Sequence, residues 1–156
     1  TEGPIAIRYP RGTAFLSEDT VPEFIPGKAQ IVKQGENIAL LSEGGAWKIA
    51  LETWNLLNNE GLNPWLINLR SLKPLDDELL TELSKNCSHI FTFETNMITG
   101  GVGSRIAQLL DESPCKVINF GYPDFFVPHG KIEQLNELIC FTPAHLSQEI
   151  KRHLSL

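Results

Sequence analysis

A glycine-rich turn between a predicted strand and a predicted helix is the segment best suited to hold an anion. Gly100, Gly101 and Gly103 follow a strand that ends at Glu94 and Asn96. Glycines allow positive φ there and leave backbone N–H groups directed at a ligand at the helix N-terminus. The turn indicates either a phosphate or carboxylate site or a structural turn that packs on a neighbouring element or subunit, and the structural alternative is favoured.

The nucleotide-binding motifs are incomplete at this turn. The third glycine of a dinucleotide motif would fall at Ile106, and the lysine of a Walker A motif is missing. Glu94 could act as a base at the carboxyl end of a parallel strand, or it could cap the turn through its backbone N–H groups. A cap or an interface is favoured, and Asn96 and Ser104 are assigned to the same interface or loop.

A proline-bounded loop is the second candidate site. Phe125, Phe126 and Val127 are consecutive bulky apolar residues between Pro123 and Pro128, which favours an anchor against another domain or chain. Asp124 and His129 lie in the same loop. His129 titrates in a range useful for acid–base work, but a hydrogen-bonded loop residue is the favoured interpretation. The histidines as a group show no metal-binding spacing.

Two arginines near the start of the chain could bind a phosphate or a carboxylate. Arg8 and Arg11 flank Tyr9 and Pro10, and the planar guanidinium fork matches either anion. From these residues alone, a surface ion pair is the favoured alternative.

Composition excludes several classes of protein. The 156 residues carry a formal net charge of −6, which argues against a protein that mainly binds a phosphate backbone. No apolar run approaches the ~20 residues that span a bilayer, and the N-terminus does not resemble a secretory signal. We expect Cys87, Cys115 and Cys140 to be reduced and buried. Because the chain begins at Thr1, we expect it to be a fragment or a processed product.

Apolar runs alternate with helical periods along most of the sequence. Continuous apolar runs predict buried strands at 38–41, 65–69, 89–93 and 116–120, the last stopped by Gly121 and Pro123. Residues 29–33 form a further short strand, and the short turn that follows it favours the antiparallel direction. The predicted fold is therefore α/β, with a mainly parallel sheet and helices on both faces.

Helical spacing of apolar residues predicts five helices between and after these strands. The first begins near Ala46 and ends at Gly61. Pro74 is predicted at the first position of the second, with Asp76 in the first turn. Thr142 is predicted as the N-cap of the last. The apolar faces are expected to contain Leu75, Leu79 and Leu83; Val102, Ile106, Leu109 and Leu110; Ile132, Leu135 and Ile139; and Leu146, Ile150 and Leu154.

The first 28 residues differ from the rest in composition. A strand-like run at 4–9 ends at Pro10, and residues 10–27 contain three prolines and no helical period. This composition is typical of an extended segment that crosses between two domains. We expect residues 1–12 to complete the sheet of a preceding domain, residues 13–28 to be a linker, and residues 29–156 to form the domain.

Four segments resemble one enzyme family when they are taken in order. They are Arg8-Tyr9-Pro10-Arg11-Gly12, Lys73-Pro74-Leu75-Asp76, Glu94-x-Asn96-x-x-x-Gly100-Gly101-x-Gly103-Ser104 and Gly121-x-Pro123-Asp124-Phe125-Phe126-x-Pro128-x-Gly130. Together they are similar to the C-terminal part of the 1-deoxy-D-xylulose-5-phosphate synthases, which are transketolase-like thiamine diphosphate enzymes. The middle two segments would also fit transketolase or the β subunit of a 2-oxoacid dehydrogenase.

The resemblance implies a three-layer α/β/α domain with a five-stranded mixed sheet whose first strand is antiparallel. It implies that residues 1–12 are the last strand of a pyrimidine-binding domain. The parent enzyme condenses pyruvate with glyceraldehyde 3-phosphate, releases carbon dioxide and supplies isoprenoid, thiamine and pyridoxal synthesis. Its thiamine diphosphate and Mg²⁺ would be bound by preceding domains, and it would be a homodimer in the bacterial cytoplasm or a plastid.

One site residue carries over from the family. Arg11 matches a family arginine that binds the phosphate of the aldehyde substrate, whereas no catalytic, cofactor-binding or metal-binding residue is assigned. The sequence departs from the family at Thr95, where Glu is frequent, at His129, where Gln is frequent, and in the segment 43–47. The domain alone is expected to be structural and inactive. The alternative in a different class is a stand-alone anion-binding module.

Overall fold

The computed structural model describes residues 3–7, 9 and 22–156, and they contain one five-stranded sheet with helices on both faces. The strands are β1 (Gln30–Lys33), β2 (Asn37–Ser42), β3 (Trp65–Asn68), β4 (Cys87–Met97) and β5 (Lys116–Tyr122). The helices are α1 (Trp47–Asn59), α2 (Asp77–Asn86), α3 (Val102–Leu109), α4 (Ile132–Leu138) and α5 (Pro143–His153), and a 3₁₀ turn spans Gly44–Ala46.

The strand order is β1-β3-β2-β4-β5, and the sheet is mixed. β2 pairs in parallel with β3 and β4, and β5 pairs in parallel with β4. β1 pairs antiparallel with β3, so the direction predicted for residues 29–33 is confirmed. The α/β fold with a mixed five-stranded sheet is the one expected from the sequence.

Two apolar cores lie on opposite faces of the sheet, because successive side chains of a strand alternate in direction. In β2, Ala39 and Leu41 join the core formed with α2 and α3, whereas Ile38 and Leu40 join the core formed with α1 and α5. The chain moves from β2 to β3 in one direction along the sheet and from β3 to β4 in the other. Crossovers of one hand then require α1 and α2 to lie on opposite faces, which gives three layers.

The start of α2 differs from the prediction. Pro74 lies before the helix, because Asp76 is the N-cap and its carboxylate accepts a hydrogen bond from the Leu79 backbone N–H (3.3 Å). Asp76 also accepts from the Ala29 N–H (3.0 Å), so it connects the helix to the segment that enters β1. The later start places Leu80 in the core, whereas the predicted Leu79 is only partly buried.

The burial predicted for two residues is wrong. Cys140 is exposed, whereas Cys87 and Cys115 are buried free thiols, and burial raises the pKa of Cys87 to about 11. Leu109 is exposed, whereas Ile106 and Leu110 are buried and Val102 packs against the same core. β5 passes Gly121 and ends at Tyr122, directly before the predicted stop at Pro123, and Tyr122 pairs with Met97 of β4.

The predicted division into a preceding domain, a linker and the present domain can be compared with the structure only in part before Gly27. Residues 3–7 form no strand with the described residues. The interpretation places their partner strands in a preceding domain, so it stays a prediction. Within the described ranges, no helix has the length and apolar character needed to cross a bilayer.

Candidate functional site

The anion position at the N-terminus of α3 is filled by a carboxylate of the chain itself. Glu94 is fully buried, and it accepts hydrogen bonds from the backbone N–H groups of Val102 (2.9 Å) and Gly103 (3.2 Å). A helix N-terminus stabilises a negative charge through these unpaired N–H groups and the helix dipole. The alternative of a cap for Glu94 is therefore the one observed.

Opposing effects act on the ionisation of Glu94. Burial raises its pKa above the ordinary value for glutamate, the two backbone donors act in the opposite direction, and Glu43 adds a smaller increase through charge repulsion. The net direction is upward. Ionised Glu94 therefore depends on the two N–H groups of α3 for its stabilisation.

The glycines of the turn leave space for this carboxylate. A Cβ atom on Gly101 would overlap both carboxylate oxygens of Glu94, and one on Gly103 would overlap the side chains of Asn119 and Thr92. Gly100 has a φ of +77°, which only glycine adopts without strain. These contacts support a structural turn over an external phosphate or carboxylate site.

A second carboxylate joins the ends of β2 and β4. Glu43 Oε1 accepts hydrogen bonds from the backbone N–H (2.7 Å) and the hydroxyl (2.7 Å) of Thr95, and its other oxygen accepts from the Gly45 N–H (3.2 Å). The chain leaves β2 and β4 toward opposite sides of the sheet here, and open α/β sheets bind ligands in such a crevice. The Glu43 side chain, which is hydrogen-bonded within the domain, takes up part of that crevice.

The glycine-rich turn and the proline-bounded loop have different environments. Ser104 donates a hydrogen bond to the Ile98 carbonyl (2.6 Å), which closes the turn, and Asn96 is exposed. Every assigned residue of the loop is exposed: Asp124, Phe125, Phe126 and His129. Glu94 therefore contacts the glycine-rich turn, whereas the assigned residues of the proline-bounded loop are not part of that cluster.

The segment that enters the domain is fixed by a residue that the sequence analysis missed. The Arg70 guanidinium donates hydrogen bonds to the carbonyls of Pro22 (3.0 Å) and Glu23 (3.1 Å), and it lies over the Phe24 ring at 5.6 Å. Arg70 itself has a φ of +52°, and its N–H donates to the Asn68 side chain. No motif signals these contacts, because the partners are almost 50 residues apart in the sequence.

Comparison with known families agrees with this fold. The family model described as "Transketolase, C-terminal domain" matches residues 27–146.

The chain belongs to the transketolase C-terminal domain family. It is 40% identical to the 1-deoxy-D-xylulose-5-phosphate synthase of Caldanaerobacter subterraneus over 135 residues, which are 85% of this chain and 22% of that protein. It is 40% identical to the synthase of Chlorobaculum tepidum over 154 residues, which are 96% of this chain and 24% of that protein. The transketolase C-terminal domain described here therefore spans about a quarter of the length of these relatives.

Solved structures show the same fold. A split-gene transketolase, described as an inactive β4 tetramer, superposes with a TM-score of 0.78 and 30% identity over 85% of this chain and 44% of that chain. A transketolase from Pichia stipitis superposes with a TM-score of 0.61 and 16% identity over 81% of this chain and 18% of that chain. The second likeness concerns the fold alone.

The glycine-rich turn of this transketolase C-terminal domain does not fit the diphosphate of thiamine diphosphate. Glu94 fills the helix N-terminus where a diphosphate would otherwise be stabilised, and the described residues include no group of three or more His, Cys, Asp or Glu placed to hold a metal ion. Arg8 and Arg11 lie outside the described residues.

Proposed function

We propose that the chain is the C-terminal domain of a 1-deoxy-D-xylulose-5-phosphate synthase. The observation that carries this proposal is the 40% identity to two curated synthases over most of the chain. The complete enzyme would condense pyruvate with glyceraldehyde 3-phosphate and release carbon dioxide. Thiamine diphosphate and Mg²⁺ would be bound by preceding domains, in a bacterial cytoplasmic homodimer.

We further propose that the domain contributes a docking surface for those preceding domains. Exposed apolar side chains lie beside Arg70, which follows β3, at the end of β4 and in the loop after β5. They are Phe24, Leu72, Met97, Phe125 and Phe126. The entering segment reaches the domain at this same edge, through the contacts of Arg70. A clustered apolar edge of this kind favours burial against another part of the protein.

The split-gene transketolase supports a structural role for the domain. That protein contains a similar domain, and its β chains alone form a tetramer that is described as inactive. By analogy, the 156-residue chain alone would lack turnover. The alternative of a stand-alone anion-binding module has less support, because Glu94 occupies the glycine-rich turn on which that alternative depends.

The reaction is tested with the complete polypeptide that carries residues 1–156. With thiamine diphosphate, Mg²⁺, pyruvate and glyceraldehyde 3-phosphate, we expect carbon dioxide and 1-deoxy-D-xylulose 5-phosphate in equal amounts, and no turnover by the 156-residue chain alone. Turnover by that chain would contradict the proposal. Ketol transfer between sugar phosphates without carbon dioxide release would assign the protein to the transketolases instead.

The docking surface is tested at Phe126, whose side chain is fully exposed in this domain. Because Phe126→Asp removes no contact within the domain, we expect the free energy of unfolding of the 156-residue chain to change by less than about 0.5 kcal/mol. In the complete polypeptide, the same change would bury a charge against the preceding domains and lower kcat/KM at least about 10-fold. Urea denaturation and steady-state kinetics measure the two effects.

The control for Phe126 is Leu138→Asp, which alters an exposed apolar residue of α4 that is not one of the five residues of the proposed docking surface. We expect this variant to keep the kcat/KM of the complete polypeptide. Equal losses of activity in both variants, or none in Phe126→Asp, would rule out the docking role of the loop.

A further inference from the structure

A cavity lies at the edge of the sheet opposite to Glu94, where β2, β4 and β5 begin. Its volume is about 690 Å³, which is within the range of small-molecule sites. The residues after α1 and the end of α5 complete its wall. Its ionisable and polar side chains include Glu36, Asn37, Ser88, His89, Lys116 and His153. Nothing in the transketolase-type chemistry proposed above uses these residues.

Basic groups outnumber acidic groups in this cavity, although the protein as a whole is acidic. Lys116 of β5 is the direct register partner of His89 in β4, and His153 is at the end of α5. None of these three belongs to an ion pair among the described residues. Among the described residues, Glu36 in the turn before β2 provides the one side-chain carboxylate that lines this cavity.

The remaining charges near the ends of α1 and α5 neutralise each other. Lys151 and Glu60 form an ion pair at 2.7 Å that connects the two helix ends, and Arg152 pairs with Glu149 at 2.7 Å. Glu36 offsets the Lys116 ammonium, and in the 156-residue chain the α-carboxylate of Leu156 also lines the cavity. The cavity therefore becomes positively charged only when its imidazoles are protonated.

His89 has a nitrogen that no partner satisfies. The Ser88 hydroxyl donates to the Asn37 carbonyl (3.2 Å) and lies 3.0 Å from His89 Nδ1. Since the hydroxyl has one hydrogen, Nδ1 donates to it, and neutral His89 keeps a bare lone pair on Nε2. Nε2 is buried and makes no hydrogen bond within the described residues. A buried polar atom without a partner is unfavourable.

The same surroundings oppose a positive charge on His89. Burial lowers the pKa of His89, and Lys116 and His153 lower it further through charge repulsion. A negatively charged ligand in the cavity would oppose this charge repulsion and favour the imidazolium of His89, in which Nε2 carries a proton.

We propose that this cavity binds a small dianion of the phosphate-monoester class, held between Lys116 and His153, with uptake of a proton by His89. The apolar lining residues Ile38, Leu62 and Leu154 would contact the organic part of such a ligand. Glu36 and the C-terminal ends of two helices oppose an anion, so the affinity for inorganic phosphate alone is modest, with a Kd of about 1–10 mM.

The test is a titration of the 156-residue chain with inorganic phosphate at constant ionic strength, followed by the imidazole proton resonances of His89 and His153. We expect saturable shifts at pH 6.5 and a higher pKa for His89 when phosphate is bound. We also expect the affinity to fall at least about 5-fold from pH 6 to pH 8. Phosphate itself gains negative charge over this interval, so the loss of affinity would report deprotonation of the protein.

Sulfate and two lysine variants complete the test. Sulfate remains a dianion at these pH values and should show the same decrease with pH. Lys116→Met should weaken binding at least about 5-fold. The control Lys131→Met, at an exposed lysine that does not line this cavity, should leave the affinity unchanged. Shifts that do not saturate, that chloride reproduces at equal ionic strength, or that persist in Lys116→Met would overturn the proposal.

Discussion

Replacing Gly101 with alanine is expected to lower the free energy of unfolding of the 156-residue chain by about 3 kcal/mol or more. The new Cβ atom would overlap the Glu94 carboxylate, which is fully buried and held by two N–H groups of α3. The carboxylate must move away from these donors, and a buried charge without its hydrogen bonds is strongly destabilising. Urea denaturation of the two proteins measures the difference.

Two other glycines separate this mechanism from general effects of glycine replacement. Gly44 has open space around its Cβ position and no positive φ, so Gly44→Ala should change the unfolding free energy by less than about 0.5 kcal/mol. Gly100 also has open space, but its φ of +77° predicts a loss of about 1 kcal/mol for Gly100→Ala. The order Gly101, Gly100, Gly44 is the expected result. Equal losses at Gly101 and Gly100 would show that backbone strain, rather than the carboxylate, explains the effect.

The parts of the fold that the sequence predicted are those that depend on local periodicity. The run Ile38–Leu41 is apolar at every position because its side chains enter two cores on opposite faces of the sheet. The short turn between β1 and β2 was enough to indicate the antiparallel direction of β1. Such features need no knowledge of distant partners.

The errors arise where a distant partner decides the local structure. Pro74 is a frequent residue at the first position of a helix, but the carboxylate of Asp76 caps α2 and bonds to Ala29, 47 residues earlier. Cys140 has a φ of +59°, and its thiol is exposed although Ile139 and Phe141 on either side of it pack in the core. The partner of Asp76 cannot be identified from the sequence near Asp76.

The candidate site shows the same division. Because the spacing from Glu94 to the glycines is short, the cap could be predicted from the sequence as one of the alternatives. The contact between Glu43 and Thr95 joins residues 52 positions apart, and the sequence analysis noted both positions only as departures from a family pattern. The structure connects the two departures through two hydrogen bonds that Thr95 donates to the Glu43 carboxylate.

The second large effect is expected at Arg11 in the complete polypeptide. If Arg11 binds the phosphate of glyceraldehyde 3-phosphate, Arg11→Ala should raise the KM for this substrate about 10- to 100-fold, because a hydrogen bond to a charged group contributes about 1.5–3 kcal/mol. Pyruvate has no phosphate, so its KM should change less than about twofold. Steady-state kinetics with each substrate varied in turn measures the two constants.

Arg105→Ala is the matched control for Arg11. The Arg105 guanidinium donates to the Leu72 carbonyl (3.1 Å) and is exposed, so its loss removes an arginine contact without a predicted phosphate partner. We expect both KM values to remain within twofold in this variant. A substrate analogue without the phosphate should be used equally by the native protein and by Arg11→Ala, because neither can make the charged contact. A similar rise of both KM values in Arg11→Ala would instead assign Arg11 to the structure of the chain that enters the domain.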